Sequence, residues 1–131
     1  IEENNVKPSE GLEELIMSAK AKGMGIALAS SSTRILVDDS LRLLGIAEQF
    51  DVTVSGDEIP KKKPAPDVYL KVLELTGVQA EDAVAVEDSR AGIEAARAAG
   101  IFCYGYDNPT SGVQDISKAD QQIKSIREIK V

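Results

Sequence analysis

Short apolar runs alternate with segments of helical period along most of this chain, and that alternation limits the fold more than any other feature. Met24–Ala29 is a brief apolar run between a glycine and three serines, and Val52–Val54, Ala83–Val86 and Ile101–Tyr104 repeat the pattern. Runs this short, without helical period, read as buried strands. Between them, Leu12, Leu15, Ile16 and Ala19 fall at helical spacing after Pro8-Ser9 and before Gly23. Ser32-Thr33 caps a second helix through Ile35, Leu36 and Leu43 to a stop near Gly45. Pro66, suited to a first helical position, opens a third helix carrying Val68, Val72 and Leu73, which Gly77 closes. Ser89–Ala99 forms a fourth, with Gly100 beyond it. From Gln114 on, Ile116, Ile123, Ile126 and Ile129 fit either a helix or a strand with a short helix after it, and the second is the expectation adopted. Asn108–Gly112 reads as a loop. Strands taking turns with helices need right-handed crossovers, so the predicted fold is α/β, a parallel sheet with helices on both faces.

Composition removes several function classes. At 131 residues, 43% of them hydrophobic and 28% charged, the chain is one domain with a real core. A formal net charge of −7 argues against nucleic-acid or anionic-membrane partners, and the short basic run Lys61-Lys62-Lys63 is cut at once by Pro64. The single cysteine, Cys103, closes no internal disulfide, and no apolar stretch is long enough for a membrane span or signal segment. A cytoplasmic setting is expected. With no histidine, Ser-His-Asp hydrolases and histidine phosphatases are excluded. Cys103 has no nearby downstream arginine to bind phosphate, and no Gly-rich Walker sequence occurs.

Ligands of parallel sheets collect beyond the carboxyl ends of the strands. Three polar groups follow predicted strands or open the next helix: Ser30-Ser31-Ser32, Lys63 and Glu87-Asp88. Hydroxyls beside the free N–H groups of a helix start either cradle a phosphate or simply cap the helix. Arg34 is either a further cationic contact or an exposed helix residue. Lys63, held extended by the following proline, either neutralises a phosphoryl group or carboxylate, or belongs to a solvated charge run. Adjacent carboxylates repel, so Glu87 and Asp88 need water or a cation. A Mg²⁺ ion, which takes one or two carboxylates together with water and phosphate oxygens, meets that need. The alternative has Asp88 or Ser89 capping the helix while Glu87 points to water.

These stretches together resemble the haloacid dehalogenase superfamily of phosphoryl-transfer enzymes, especially its phosphatases and phosphosugar mutases with a helical cap. ALASSS resembles its second motif, KKKPAPDVY its lysine motif and VAVEDSRAGIEAARAAG its acidic fourth motif, in the right order. The Gly105–Gly112 loop and Ala119-Asp120 are similar to its closing segment. The resemblance implies a Rossmann-like core and a Mg²⁺-dependent reaction on a small phosphorylated metabolite. It implies that Ser30 hydrogen-bonds the transferring phosphoryl group with help from the Ser31 N–H, and that Lys63 stabilises its charge and holds the nucleophile. Asp88 would bind Mg²⁺, with Glu87 either a further ligand or a base one layer behind.

One departure is large. The family's nucleophile and general acid are aspartates spaced Asp-x-Asp after its first strand, and no Asp-x-Asp occurs in this sequence. The cap is missing too. The chain is therefore expected to be the C-terminal portion of such a core, 1–131, a cleavage product or truncated part. In the family the nucleophile strand lies between the strands ending at Ser30 and Val86. Without it both would be open edges that invite association, completed by the missing segment, by another copy or by rearranged pairing. The mass of the dissolved chain checks this: larger species are expected, and a well-behaved monomer of this chain alone contradicts it.

Overall fold

The computed structural model describes residues 11–108 and 114–129. Helix α1, Leu12–Ala21, follows Gly11, whose φ of 87° lies in the left-handed region. Pro8-Ser9, expected at its start, lies outside the described residues. Strand β1 is Ala27–Ala29, shorter than the apolar run that begins at Met24. The reason lies at Ile26, whose N–H donates to Asp51 Oδ2 (2.8 Å) while its carbonyl accepts from the Asp51 amide (2.7 Å). The Asp51 side chain takes the amide that a ladder would use, while the Ile26 carbonyl keeps a backbone partner.

Helix α2, Arg34–Leu44, starts at Thr33, whose hydroxyl accepts from the Leu36 amide, and stops at Gly45. Strand β2 is Val52–Val54 and helix α3 is Asp67–Thr76, with Pro66 one place before the helix rather than inside it. Strand β3, Val84–Glu87, leads to α4, Arg90–Ala98, which Ser89 caps by accepting from the Gly92 amide at 3.1 Å. Strand β4, Phe102–Tyr106, runs past the predicted Tyr104 because its end pairs with β5, Gln121–Ile123. A 3-10 turn at Ile126–Glu128 completes the strand-then-helix order expected for this end. Most of the Asn108–Gly112 loop lies outside the described residues.

All the ladders are parallel, as β-α-β crossovers require. They form two sheets, β1-β2 and β3-β4-β5, and among the described residues β1 and β3 are not paired to each other. One core nevertheless runs beneath both. Val54 from β2, Val68 and Tyr69 from α3, Ala85 from β3, Ile93 and Ala96 from α4 and Cys103 from β4 form a single buried cluster. Burial in this cluster, with Glu87 and Asp120 close by, pushes the Cys103 thiol up to about 12. A small buried residue with no thiolate is a packing element.

The opposite face is covered in two places. Val37, Leu41 and Ile46 pack around Leu28 and Phe50 on the β1–β2 side, and Ile123, Ile126 and Ile129 pack with Leu15, Tyr104 and Tyr106 on the β5 side. Between these patches Val84, Val86 and Phe102 remain 47, 37 and 44% exposed. Strand β3 therefore alternates exposed and buried, where a strand covered on both faces would be buried throughout. No helix among the described residues is long and apolar enough to cross a membrane.

Candidate active site

The carboxyl ends of β1 and β3 carry the polar groups singled out in the sequence. Just past β1, the Ser30 amide donates to the Val54 carbonyl (2.9 Å), which continues the β1–β2 pairing by one residue. The Ser30 hydroxyl accepts from the Ser32 amide at 3.0 Å, so it shapes a turn while Thr33 caps the helix. Ser31 lies exposed on that turn.

The turn is braced from behind. The Gly56 amide donates to the Ser32 carbonyl (2.6 Å), and Gly56 sits so close to Ser31 that a Cβ would overlap the Ser31 carbonyl. Arg34 ties the same parts together: its amide donates to the Asp57 carboxylate, and its guanidinium reaches Asp38 (3.1 Å), Thr53 Oγ1 (2.6 Å), the Thr53 carbonyl (2.7 Å) and Glu58 (2.5 Å). Arg34 is thus committed to the scaffold. The Ser55 hydroxyl, and then the Arg34 amide, hold Asp57 below the usual carboxylate range; the Ser55 amide and Arg34 do the same for Glu58.

Lys63 differs from its neighbours. Lys61 and Lys62 are exposed, whereas the Lys63 side chain is only 12% exposed and its ammonium points inward. The Lys63–Pro64 bond is cis. Nζ donates to the Ala29 carbonyl (3.1 Å) and to Glu87 Oε2 (2.7 Å), so one cation joins the last residue of β1 to the last residue of β3. Ser30 and Asp88 are the next residues along the two strands. This ammonium therefore lies between the serine turn and the acidic pair.

The structure also resolves how two adjacent carboxylates coexist. Successive strand residues face opposite ways, and Glu87 points with Ala85 into the core. There Oε2 accepts from both Lys63 and the Tyr69 phenol, and Oε1 lies where a Cβ on Gly92 would be. Glu87 is paired rather than open to water. Asp88, one residue on, is partly exposed and accepts from Asn108 Nδ2 at 3.0 Å. Burial, reinforced by the Glu87 charge, pushes the Tyr69 phenol well above its ordinary value, so it stays a donor.

Among the described residues no group of three or more acidic, cysteine or histidine side chains is placed to hold a metal. The donor set nonetheless fits Mg²⁺, which needs few protein ligands and retains water. Asp88 fits as a carboxylate ligand, and Glu87, whose ammonium and phenol contacts both fall on Oε2, could add Oε1 as a further one.

Sequence reasoning did not single out Tyr69, Asn108 or the Gly56-Asp57 brace. A tyrosine beside Val68 at helical spacing reads as core, which it also is. Its hydroxyl meets Glu87, 18 positions along the chain, a contact that only the fold makes.

A parallel α/β domain in which a serine turn follows one strand, an acidic pair closes another and the Lys63 ammonium bonds the last residue of each defines the class. Within it, the chain belongs to the haloacid dehalogenase-like hydrolases, whose family model matches residues 1–106. It is 40% identical over 119 residues to protein CbbY from Rhodobacter capsulatus, covering 88% of this chain and 52% of that protein. It is 41% identical over 96 residues to a phosphorylated carbohydrates phosphatase from Thermotoga maritima, covering 73% and 44% of the two chains. Among solved structures, CbbY from Rhodobacter sphaeroides in complex with phosphate superposes with a TM-score of 0.84 at 33% identity, over 91% of this chain and 54% of that one. β-Phosphoglucomutase from Clostridium difficile superposes with a TM-score of 0.83 at 27% identity, over 99% and 55%. The chain thus spans about half the length of these relatives.

Removing one partner of a buried ion pair strands the other charge, at about 3–5 kcal/mol. Glu87→Ala is therefore expected to lower stability by about 3 kcal/mol in urea denaturation, whereas a loss below about 0.5 kcal/mol, typical of a surface residue, would show that the pair is not formed.

Proposed function

We propose that this chain is the phosphate- and Mg²⁺-binding part of a phosphatase acting on small phosphorylated metabolites, with the nucleophilic aspartate on a segment outside these 131 residues. The observation that carries this reading is the Lys63 ammonium, held between the Ala29 carbonyl and Glu87 at the strand ends. Phosphoryl transfer depends chiefly on positioning and on stabilising charge over the phosphate oxygens. A lysine fixed by two acceptors supplies such a charge without reorganising.

In this reading Ser30 Oγ and the Ser31 amide hold phosphate oxygens on one side while the Lys63 ammonium neutralises another. Glu87 holds Lys63 in place, and Asp88 provides a Mg²⁺ ligand. The ion, when bound, neutralises phosphate charge as a Lewis acid. The aspartate would attack phosphorus, form an aspartyl-phosphate as the alcohol leaves, and then lose the phosphoryl group to water.

Among the described residues no ladder joins β1 to β3, which supports a place between them for that aspartate's strand, from the same protein or another copy. The exposed Val84, Val86 and Phe102 beside the β3 edge support further cover there. The net charge of −7 supports no nucleic-acid or membrane partner, and the buried free thiol of Cys103 agrees with a cytoplasmic setting.

A phosphosugar mutase is the second reading, favoured by the similarity to β-phosphoglucomutase. Assay of the complete gene product with a sugar phosphate and Mg²⁺ separates the two. Release of inorganic phosphate is expected, with Lys63→Met and Asp88→Asn each lowering kcat by about 10²-fold or more. Isomerised sugar phosphate without release would establish the mutase. Phosphate binding with no turnover would leave a non-catalytic binding module.

A further inference from the structure

Two donors meet on one oxygen of Glu87. The Tyr69 phenol and the Lys63 ammonium both donate to Oε2, and Nζ lies 5.5 Å from the centroid of the Tyr69 ring. An ionised carboxylate only accepts, so the phenol is the donor. Tyr69 is 8% exposed and sits in the first turn of α3, while Glu87 ends β3 and Lys63 precedes α3. Three segments therefore fix this contact.

We propose that Tyr69 is a positioning residue: by sharing Glu87 Oε2 with Lys63, its phenol keeps the carboxylate from pairing fully with the ammonium and leaves Lys63 directed at the phosphate. This rests on the phosphate-site reading above. An ammonium has three N–H donors, and the described contacts use two, on Ala29 and Glu87. In a site this buried a lone Lys–Glu pair is tightly held, because water does not screen it. A carboxylate oxygen that also accepts a hydrogen bond from the phenol offers the ammonium less. The ring face attracts the same cation, which steadies it without consuming an N–H.

Tyr69→Phe keeps the ring and removes only the hydroxyl. In the complete gene product, titrated calorimetrically with inorganic phosphate in Mg²⁺, this variant is expected to bind phosphate about fivefold more weakly, the effect of one hydrogen bond. Lys63→Met should weaken binding far more, and adding Tyr69→Phe to it should have no further effect. A purely structural tyrosine would lower the melting temperature but leave phosphate affinity unchanged, which overturns the proposal. So does an equal loss from Tyr69→Phe with and without Lys63. If Lys63→Met keeps full affinity, or the parent binds no phosphate, the phosphate-site reading itself fails. Should Tyr69→Phe not fold, crystals of the parent with phosphate decide: the phenol stays on Glu87 while Lys63 contacts phosphate, and a phenol turned away from Glu87 overturns the proposal.

Discussion

One sheltered ammonium ties the carboxyl ends of the two sheets together. Sheets β1-β2 and β3-β4-β5 share a helical layer and a core, yet no ladder joins them among the described residues. At their carboxyl ends the link is Lys63, bonded to the Ala29 carbonyl on one side and to Glu87 on the other. A charge this sheltered needs a partner, since unpaired burial would cost several kcal/mol. Glu87 has the same need. Each resolves the other's difficulty, and the pair lands at the rim where parallel sheets bind their ligands.

This pairing also separates the duties of two adjacent acids. Strand geometry turns Glu87 inward and carries Asp88 beyond the strand end, so the two avoid competing for one environment. Glycine makes the inward turn possible: a Cβ on Gly92 would occupy the space of the Glu87 carboxylate. The serine turn is served by a similar device, since Gly56 lets the β2 loop press against Ser31. In both places the absence of one carbon sets where a polar group sits.

Much of this was legible in the sequence because it depends on local chemistry. Glycines at 45 and 77 end α2 and α3 in the left-handed conformation that favours them, and serine and threonine caps begin α2 and α4. The lysine before Pro64, the serine turn and the acidic pair stood out by following predicted strands or opening the next helix. Other features were not legible, because they depend on contacts between distant segments. Strand β1 is shortened by Asp51, 25 positions from the Ile26 amide it binds, and β4 is lengthened by β5. Arg34, read as an exposed residue or a ligand contact, instead binds Thr53 and Glu58. Tyr69 carries no local mark of its polar contact at all.

Relatives that superpose on this chain extend to nearly twice its length. Everything assigned to it depends on Lys63 being an inward, hydrogen-bonded ammonium. A lysine-selective ¹H–¹⁵N spectrum tests that directly. One ammonium resonance, from Lys63, is expected, slowed in exchange with water, correlated with the Glu87 carboxylate and shifted when inorganic phosphate is added. If Lys63 exchanges as fast as Lys61 and Lys62 and ignores phosphate, the account is contradicted.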